Sequence, residues 1–193
     1  MNFTLAYIAF LIISIVYRLT RLSKSYAGES KPGKVHAGFN FAIMLFLYLS
    51  VFIGSISEYF YYCVMLHTRQ INILISVFGL LMYIIVIPLR AVAATALGQQ
   101  MSQDIKIIHD HKVVTNGPYA YLRHPLALCV MLEVLGLTLI SNAYYSFIMT
   151  LVLFFPFMFY RVYLEEKALI EQFGSEYLEY KKRVYAFMPL KRR

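Results

Sequence analysis

Residues 126–160 read LALCVMLEVLGLTLISNAYYSFIMTLVLFFPFMFY, two apolar runs separated only by Ser141, Asn142 and Ala143. Runs of this length are typical of helices that cross or nearly cross a hydrocarbon core about 30 Å thick. Because so short a connection cannot return the chain across a bilayer, the two helices must be antiparallel neighbours. This stretch predicts a membrane helical hairpin around which the rest of the fold is arranged.

Three further apolar runs bring the number of predicted membrane helices to five. The chain has 193 residues, of which 60% are hydrophobic and 15% charged, too apolar a composition for a water-soluble surface. We therefore predict a single all-α integral membrane domain over residues 1–193, with the third helix ended by Pro88 and Arg90. The helices are expected at about 3–17, 39–57, 71–87, 126–140 and 144–160.

The first run is short enough to be the core of a signal peptide instead. No basic residue precedes it, whereas Arg18, Arg21 and Lys24 follow it. That charge order is the reverse of a signal peptide's, so we expect a retained helix.

The basic residues predict the orientation of the chain. Lysine and arginine accumulate in the cytoplasmic loops of membrane proteins. With the N-terminus outside and the C-terminus cytosolic, every lysine and arginine except Arg69 falls on the cytosolic side. The net charge of +8 is therefore interpreted as positive-inside charge that faces anionic lipid, and not as a nucleic-acid-binding surface.

Cysteine and histidine usage indicates neither a disulfide framework nor a metal motif. Cys63 and Cys129 both lie in or beside apolar runs. His109 and His111 stand close together, but no third ligand follows at a convincing spacing. We expect no bound metal.

The longest predicted cytosolic loop, residues 100–125, leads into a helix start. The Asn-Gly-Pro sequence at 116–118 is a turn signal, and Pro125 stands at the first position of the fourth helix, where a helix tolerates proline best. Unpaired amides and the helix dipole at such a start suit an anionic group such as a carboxylate. An ordinary helix start, with Arg123 reaching to the interface, explains the same pattern.

A second polar cluster follows the fifth helix, in the C-terminal segment 161–189. Arg161 and Glu165 share one face of a continuing helix, although a solvated charged face is the alternative. Glu133 lies about two turns into the fourth helix, where an acid is costly, so it should face the bundle. It is either a substrate or proton-transfer residue, or a structural partner of Arg90 or of backbone groups.

Several motifs in the last half of the chain resemble those of a known family. They run from His111-x-Val-Val-x-x-Gly117-Pro-Tyr119 through Arg123-His124-Pro125 and the hairpin to Glu165-Glu166 and Phe173-Gly174-x-x-Tyr177-x-x-Tyr180. In this order and spacing, the segment from about His109 to Pro189 resembles the isoprenylcysteine carboxyl methyltransferase family. The phospholipid N-methyltransferases look related. The first half matches only in being transmembrane.

The resemblance implies a short five-helix methyltransferase that uses S-adenosylmethionine on a lipophilic or prenylated acceptor, with its cofactor site at the cytosolic membrane face. It gives Arg161 the substrate role. A carboxylate acceptor needs no general base, whereas a phenol or an amine does, and Glu133 or His124 is then the candidate. Arg161 and Glu133 are thus the predicted catalytic residues. The residues assigned to the cofactor are His111, Lys112, Val113, Val114, Tyr119, His124, Pro125, Leu126, Ala127, Glu165 and Glu166.

The chain departs from the family pattern at two positions. Ala127 stands where the family commonly has tyrosine, and Asp104, beside Gln103, falls where the family has glutamine. These departures leave open a non-catalytic membrane scaffold of the same fold. A further alternative is an NADPH-dependent membrane sterol or lipid reductase, a class with similar hairpins and Tyr-rich basic tails, against which the paired glutamates argue.

Overall fold

The computed structural model describes residues 2–28, 33–37, 39–98, 105–108 and 113–189. It divides into two compact units, Met1–Pro32 and Gly33–Arg193. The first unit contains helix α1, Asn2–Gly28, which includes the predicted helix at 3–17 and continues beyond it. The prediction stopped where the apolar run stops, but a helix does not end merely because its residues become polar.

The second unit holds six more helices and two short strands within the described residues. In chain order the elements are β1 (Gly33–Ala37), α2 (Phe39–Tyr59), α3 (Ile73–Leu97), β2 (Ile105–Ile108), α4 (Pro125–Ile140), α5 (Tyr144–Met149), α6 (Phe155–Phe173) and α7 (Ser175–Arg183). A π-helical segment at Phe60–Met65 prolongs α2, and another at Thr150–Phe154 joins α5 to α6 without a break. A 3₁₀ turn at Gly117–Ala120 precedes α4.

Three helical stretches are long and apolar enough to cross a membrane: Asn40–Met65, Ile73–Leu97 and Tyr144–Phe173. Phe3–Tyr17 and Pro125–Ile140 are shorter apolar helices. Large apolar side chains cover the outside of these helices, with Leu74 81% exposed. A surface of this kind is stable only against lipid, so the protein is an integral membrane protein. The number of five membrane helices stays a prediction.

The hairpin predicted from residues 126–160 is confirmed, since α4 and α5 are joined through Ser141, Asn142 and Ala143. Asn142 adopts a positive φ of 54°, and its amide group donates to the Ser76 hydroxyl at 2.6 Å. The Ser76 hydroxyl in turn donates to the Ile140 carbonyl at 2.9 Å. The turn of the hairpin is therefore fastened to the first turn of α3.

The predicted end of the third helix is wrong, because α3 continues through Pro88 and Arg90 to Leu97. A proline removes only one backbone hydrogen bond, and membrane helices tolerate it when neighbouring groups compensate. The helix ends instead at Gly98, whose φ of 54° lies in the left-handed region.

The fifth predicted helix, 144–160, is likewise too short. It runs on to Phe173 and ends at Gly174, with φ 54°. The π turn before Pro156 is the irregularity expected near a proline inside a long helix. Arg161 and Glu165 therefore do lie on one continuing helix, as predicted.

The helical architecture is confirmed, but the structure adds a small sheet that the all-α prediction did not include. Strands β1 and β2 pair in antiparallel fashion, with Gly33 opposite Ile108 and Val35 opposite Lys106. A register irregularity lies between Val35 and Ala37. The pairing joins the chain before α2 to the chain after α3.

Glu58, near the end of α2, fastens that helix to the start of α5. Its carboxylate accepts the backbone amides of Tyr145 and Ser146 at 3.2 and 3.1 Å, at the start of α5. Arg69 donates to the same carboxylate at 2.7 Å. A buried acid that caps a helix start and meets a guanidinium is well compensated, so this cluster ties α2 to the hairpin.

Candidate active site

The start of α4 is paired with the C-terminal segment of the chain. The backbone amides of Arg123 and His124 donate to the carbonyls of Tyr185 and Ala186 at 3.0 and 3.1 Å. Pro125 occupies the first helical position and is fully buried. The helix start predicted at His124 and Pro125 is thus confirmed, and chain beyond α7 holds it in place.

Glu166, on α6, is a carboxylate shared by several cations. Its Oε1 lies 2.7 Å from Arg123 Nη2, and its Oε2 accepts a hydrogen bond from Lys181 Nζ at 2.7 Å. His124 Nε2 is 3.3 Å from Oε1. Because Glu166 is largely buried, these partners supply the compensation that an ionised carboxylate requires. The cluster connects the α4 start, α6 and α7.

His124 lies between two carboxylates. Its Nδ1 is 3.6 Å from Glu165 Oε2, and its Nε2 faces Glu166. Burial alone would lower the pKa of His124, but the hydrogen bonds and negative charges of Glu165 and Glu166 outweigh burial and raise it to about 9. The imidazole is therefore a cation at neutral pH, with Nε2 within hydrogen-bond distance of Glu166 and Nδ1 facing Glu165 as an ion pair.

Tyrosines on α7 join the loop before α4 to the C-terminal helix. The Tyr180 hydroxyl donates to the backbone carbonyl of Tyr119 at 2.6 Å. Burial raises the pKa of Tyr180 to about 12, despite the opposing charge of Arg123. Val113 packs against the cluster that contains Tyr177 and Tyr180. Both phenols are neutral at physiological pH; Tyr180 serves as a hydrogen-bond donor and Tyr177 as a packing group.

The structure brings several predicted site residues together. His124 and Pro125 lie at the α4 start with Glu165 and Glu166 against them, and the charge of Arg161 acts on Glu165. Tyr119 is buried, and the charge of Glu165 also reaches its phenol. Val113 and Val114 are partly buried just before this turn.

Other predicted residues fall elsewhere. Ala127 packs inward, against the core cluster that includes Met131 and Phe154, while Leu126 is partly buried. An inward position explains how alanine is accommodated there, because core packing, and not the charged cluster, surrounds it. His111 and Lys112 lie outside the described residues, as do Gln103 and Asp104.

Glu133 is fully buried, as predicted, and its partner is Arg90. Arg90 Nη1 donates to Glu133 Oε2 at 2.5 Å. The ion pair between Glu133 and Arg90, which was the structural alternative considered from the sequence, is therefore present. The charges of both residues also act on the buried thiol of Cys129, one turn before Glu133 on α4.

Sequence reasoning missed Arg123, Lys181 and the segment after α7 as parts of the site. Arg123 stands in the Arg123-His124-Pro125 motif but was not assigned to the site, and the ordinary alternative placed it at the interface. Its side chain is only 9% exposed. Its position directly before His-Pro was the available signal. No sequence signal pointed to Lys181, because it lies on α7 while its partner Glu166 lies on α6, and helix periodicity does not relate residues of two different helices. Among the residues that the structure describes, no group of three metal-ligating side chains is found.

Together, the fold and the charged cluster define an integral membrane protein with a polar site where the start of α4 meets the second half of α6. Residues 78–171 match the sequence profile of the isoprenylcysteine carboxyl methyltransferase (ICMT) family. The resemblance predicted from the motifs is confirmed, and the matched region begins earlier than expected, within α3.

Individual relatives include two isoprenylcysteine methyltransferases and one protein of a different name. The chain is 33% identical over 104 residues to Protein-S-isoprenylcysteine O-methyltransferase of Schizosaccharomyces pombe, covering 53% of this chain and 44% of that protein. It is 32% identical over 118 residues to the protein of that name in Saccharomyces cerevisiae, covering 60% and 49%. It is also 34% identical over 80 residues to the cobalt-zinc-cadmium resistance protein CzcN of Cupriavidus metallidurans, covering 42% and 37%. The chain thus spans about half or less of the length of these relatives.

Proposed function

We propose that the protein is an S-adenosylmethionine-dependent methyltransferase that acts on a lipophilic acceptor at the cytosolic membrane face. The observation that carries the proposal is the convergence of His124, Glu165 and Glu166 at a helix start inside a membrane bundle. The family match over residues 78–171 supports the same reaction class. The names of the relatives favour the carboxylate of an isoprenylcysteine-like group as the acceptor.

The donor set suits this cofactor, which carries a carboxylate, an ammonium group, ribose hydroxyls and a cationic sulfonium. Glu165 has a side chain 43% exposed, so one carboxylate of the pair is open to a ligand. It would accept hydrogen bonds from an ammonium or from ribose hydroxyls. The α4 start, with protonated His124 beside it, would hold a carboxylate. The site thus offers a carboxylate for the cofactor's ammonium group and a positively charged helix start for its carboxylate.

The bound cofactor would supply an electrophilic methyl group, whose transfer to a carboxylate oxygen breaks the carbon–sulfur bond, leaves a neutral thioether and releases no proton. The protein's task is then to align the reactants and exclude water. Arg161 would bind a polar group of the acceptor, since it lies one turn before Glu165 on α6. Phe187, whose ring packs near those of His124 and Phe159, would help to cover the site.

The bilayer would deliver the acceptor. Apolar side chains face outward along the candidate spans, so a prenyl chain dissolved in lipid meets the bundle laterally. We further propose five membrane helices with the N-terminus outside and the C-terminus cytosolic, which places the site and nearly all basic residues on the cytosolic side.

Binding of the cofactor tests this proposal. We expect purified protein in detergent to bind S-adenosylmethionine, and Glu165→Gln or His124→Ala to weaken binding about tenfold or more because each removes a charge-assisted contact. Glu171→Gln is the matched control, since Glu171 is an exposed carboxylate on the same helix, and it should bind like the wild type. Isothermal titration calorimetry measures all four. NADPH binding without S-adenosylmethionine binding would favour a reductase, and unchanged affinity in both site variants would refute the site.

A further inference from the structure

An ion pair inside the membrane body is not used by the cofactor site. Arg90 is the sole charged residue of α3, and Glu133 is the sole charged residue of α4. Both helices are apolar, and charges within a bilayer are costly and usually serve a function. A functional role for this ion pair, and not packing alone, is therefore expected.

Arg90 is turned into the bundle. A long basic side chain near the end of a membrane helix ordinarily reaches out to the interface. Arg90 instead meets Glu133, which lies more than two turns inside α4 and is fully buried. The buried acid thus holds the guanidinium against α4.

Most N–H donors of the Arg90 guanidinium are not used in the contact with Glu133. Arg90 donates to Glu133 through Nη1, and within the described part of the chain no other hydrogen-bond partner is present. A guanidinium has five N–H donors, and its side chain here is 32% exposed. The remaining donors are accessible at the surface of the apolar bundle, and such donors favour an oxygen ligand, above all an anionic one.

The ion pair adjoins the proposed cofactor site. The 3₁₀ turn that carries Tyr119 packs against the end of α3, where Gly117 faces Ala96. Glu133 lies on α4, the helix that begins directly after His124. Both helices of the ion pair therefore lead to the predicted methyl-transfer region.

We propose that Arg90 binds an anionic oxygen of the methyl acceptor and that Glu133 is the positioning residue that holds Arg90 inward. This inference rests on the proposed function, because it assigns part of the same site to the acceptor. It makes the acceptor a lipophilic molecule with an acidic head group. Glu133 then acts through Arg90 and contacts neither the acceptor nor the cofactor.

A matched pair of ligands tests the assignment. N-acetyl-S-farnesylcysteine carries a free carboxylate, and its carboxamide is the neutral counterpart. We expect the wild type to bind the acid at least about tenfold more tightly, the difference made by a charge-assisted contact. Arg90→Gln should abolish that preference, Arg90→Lys should restore part of it, and Glu133→Gln should reduce it while leaving the affinity for the carboxamide unchanged. Lys167→Gln, at an exposed position on α6, is the control that should retain it.

Affinity for S-adenosylmethionine, measured on every variant, separates this inference from the proposed function. It should stay within about twofold of the wild type in folded variants. Wild-type protein that binds the cofactor but neither ligand, or an Arg90→Gln variant that keeps the acid preference, would overturn the role of Arg90 alone. Absence of cofactor binding would overturn the proposed function. Repeating the titration in nanodiscs with and without phosphatidylglycerol distinguishes a lipid phosphate, because competition by the anionic lipid would assign Arg90 to lipid instead.

Discussion

At the scale of single residues, one histidine and two glutamates define the site. His124 is buried and would be neutral if burial acted alone, but Glu165 and Glu166 keep it protonated. The family resemblance assigned these three residues to one cofactor site, whereas helix periodicity placed only Arg161 and Glu165 on one face. It could not predict Arg123 and Lys181 as partners of Glu166, because an ion pair between distant positions leaves no periodic trace in one sequence.

The pH dependence of stability should report the state of His124. Its pKa of about 9 in the folded protein exceeds the ordinary value of 6.5, so its stabilising contribution is complete below about pH 6.5 and is lost as pH rises towards 9. We expect the thermal midpoint of the wild type to fall over that window more than that of His124→Gln. Thermal melts in detergent between pH 6 and 9 measure this. His67→Asn, at an exposed histidine with positive φ, is the control, and equal slopes for wild type and His124→Gln would contradict the assignment.

At the scale of elements, helix ends were the least predictable feature. The apolar runs located the three candidate membrane spans and the two shorter apolar helices of the described chain. The predicted helices at 71–87 and 144–160 stopped too early, because α3 continues past Pro88 and Arg90 and α6 continues into charged sequence. The helix start at Pro125 was predicted, since proline imposes a local backbone preference. Strands β1 and β2 were missed because short pairings between distant segments have weak local signals.

The close approach of α3 and α4 should depend on Gly79. A Cβ at this position would lie 2.8 Å from both the Gly136 carbonyl oxygen and the Ile140 amide nitrogen, which are backbone atoms that cannot turn away. We expect Gly79→Ala to destabilise the protein by about 1–3 kcal/mol, the usual cost of overpacking. Gly54→Ala is the control, because its Cβ would meet only the Ser146 hydroxyl, at 3.2 Å. Unfolding in graded denaturant measures both, and an equal effect of the two substitutions would argue against tight packing at Gly79.

At the scale of the whole molecule, the hairpin of α4 and α5–α6 links the apolar helices to the polar site. One arm begins at His124 and the other ends beyond Glu166, so a single antiparallel reversal returns two distant polar segments to one place. That arrangement was predictable, because the short connection between the apolar runs leaves little freedom. The C-terminal segment that pairs with Arg123 and His124 was not, since backbone hydrogen bonds of this kind do not depend on side-chain pattern.

The start of α4 and the second half of α6 together form the proposed cofactor site. Ultraviolet crosslinking of purified protein to radiolabelled S-adenosylmethionine, followed by peptide mapping, shows whether both segments touch the cofactor. We expect label in two peptides, one spanning residues 113–127 and one spanning 161–173, with loss of both in Glu165→Gln. Label confined to other parts of the chain, or label that persists in that variant, would contradict it.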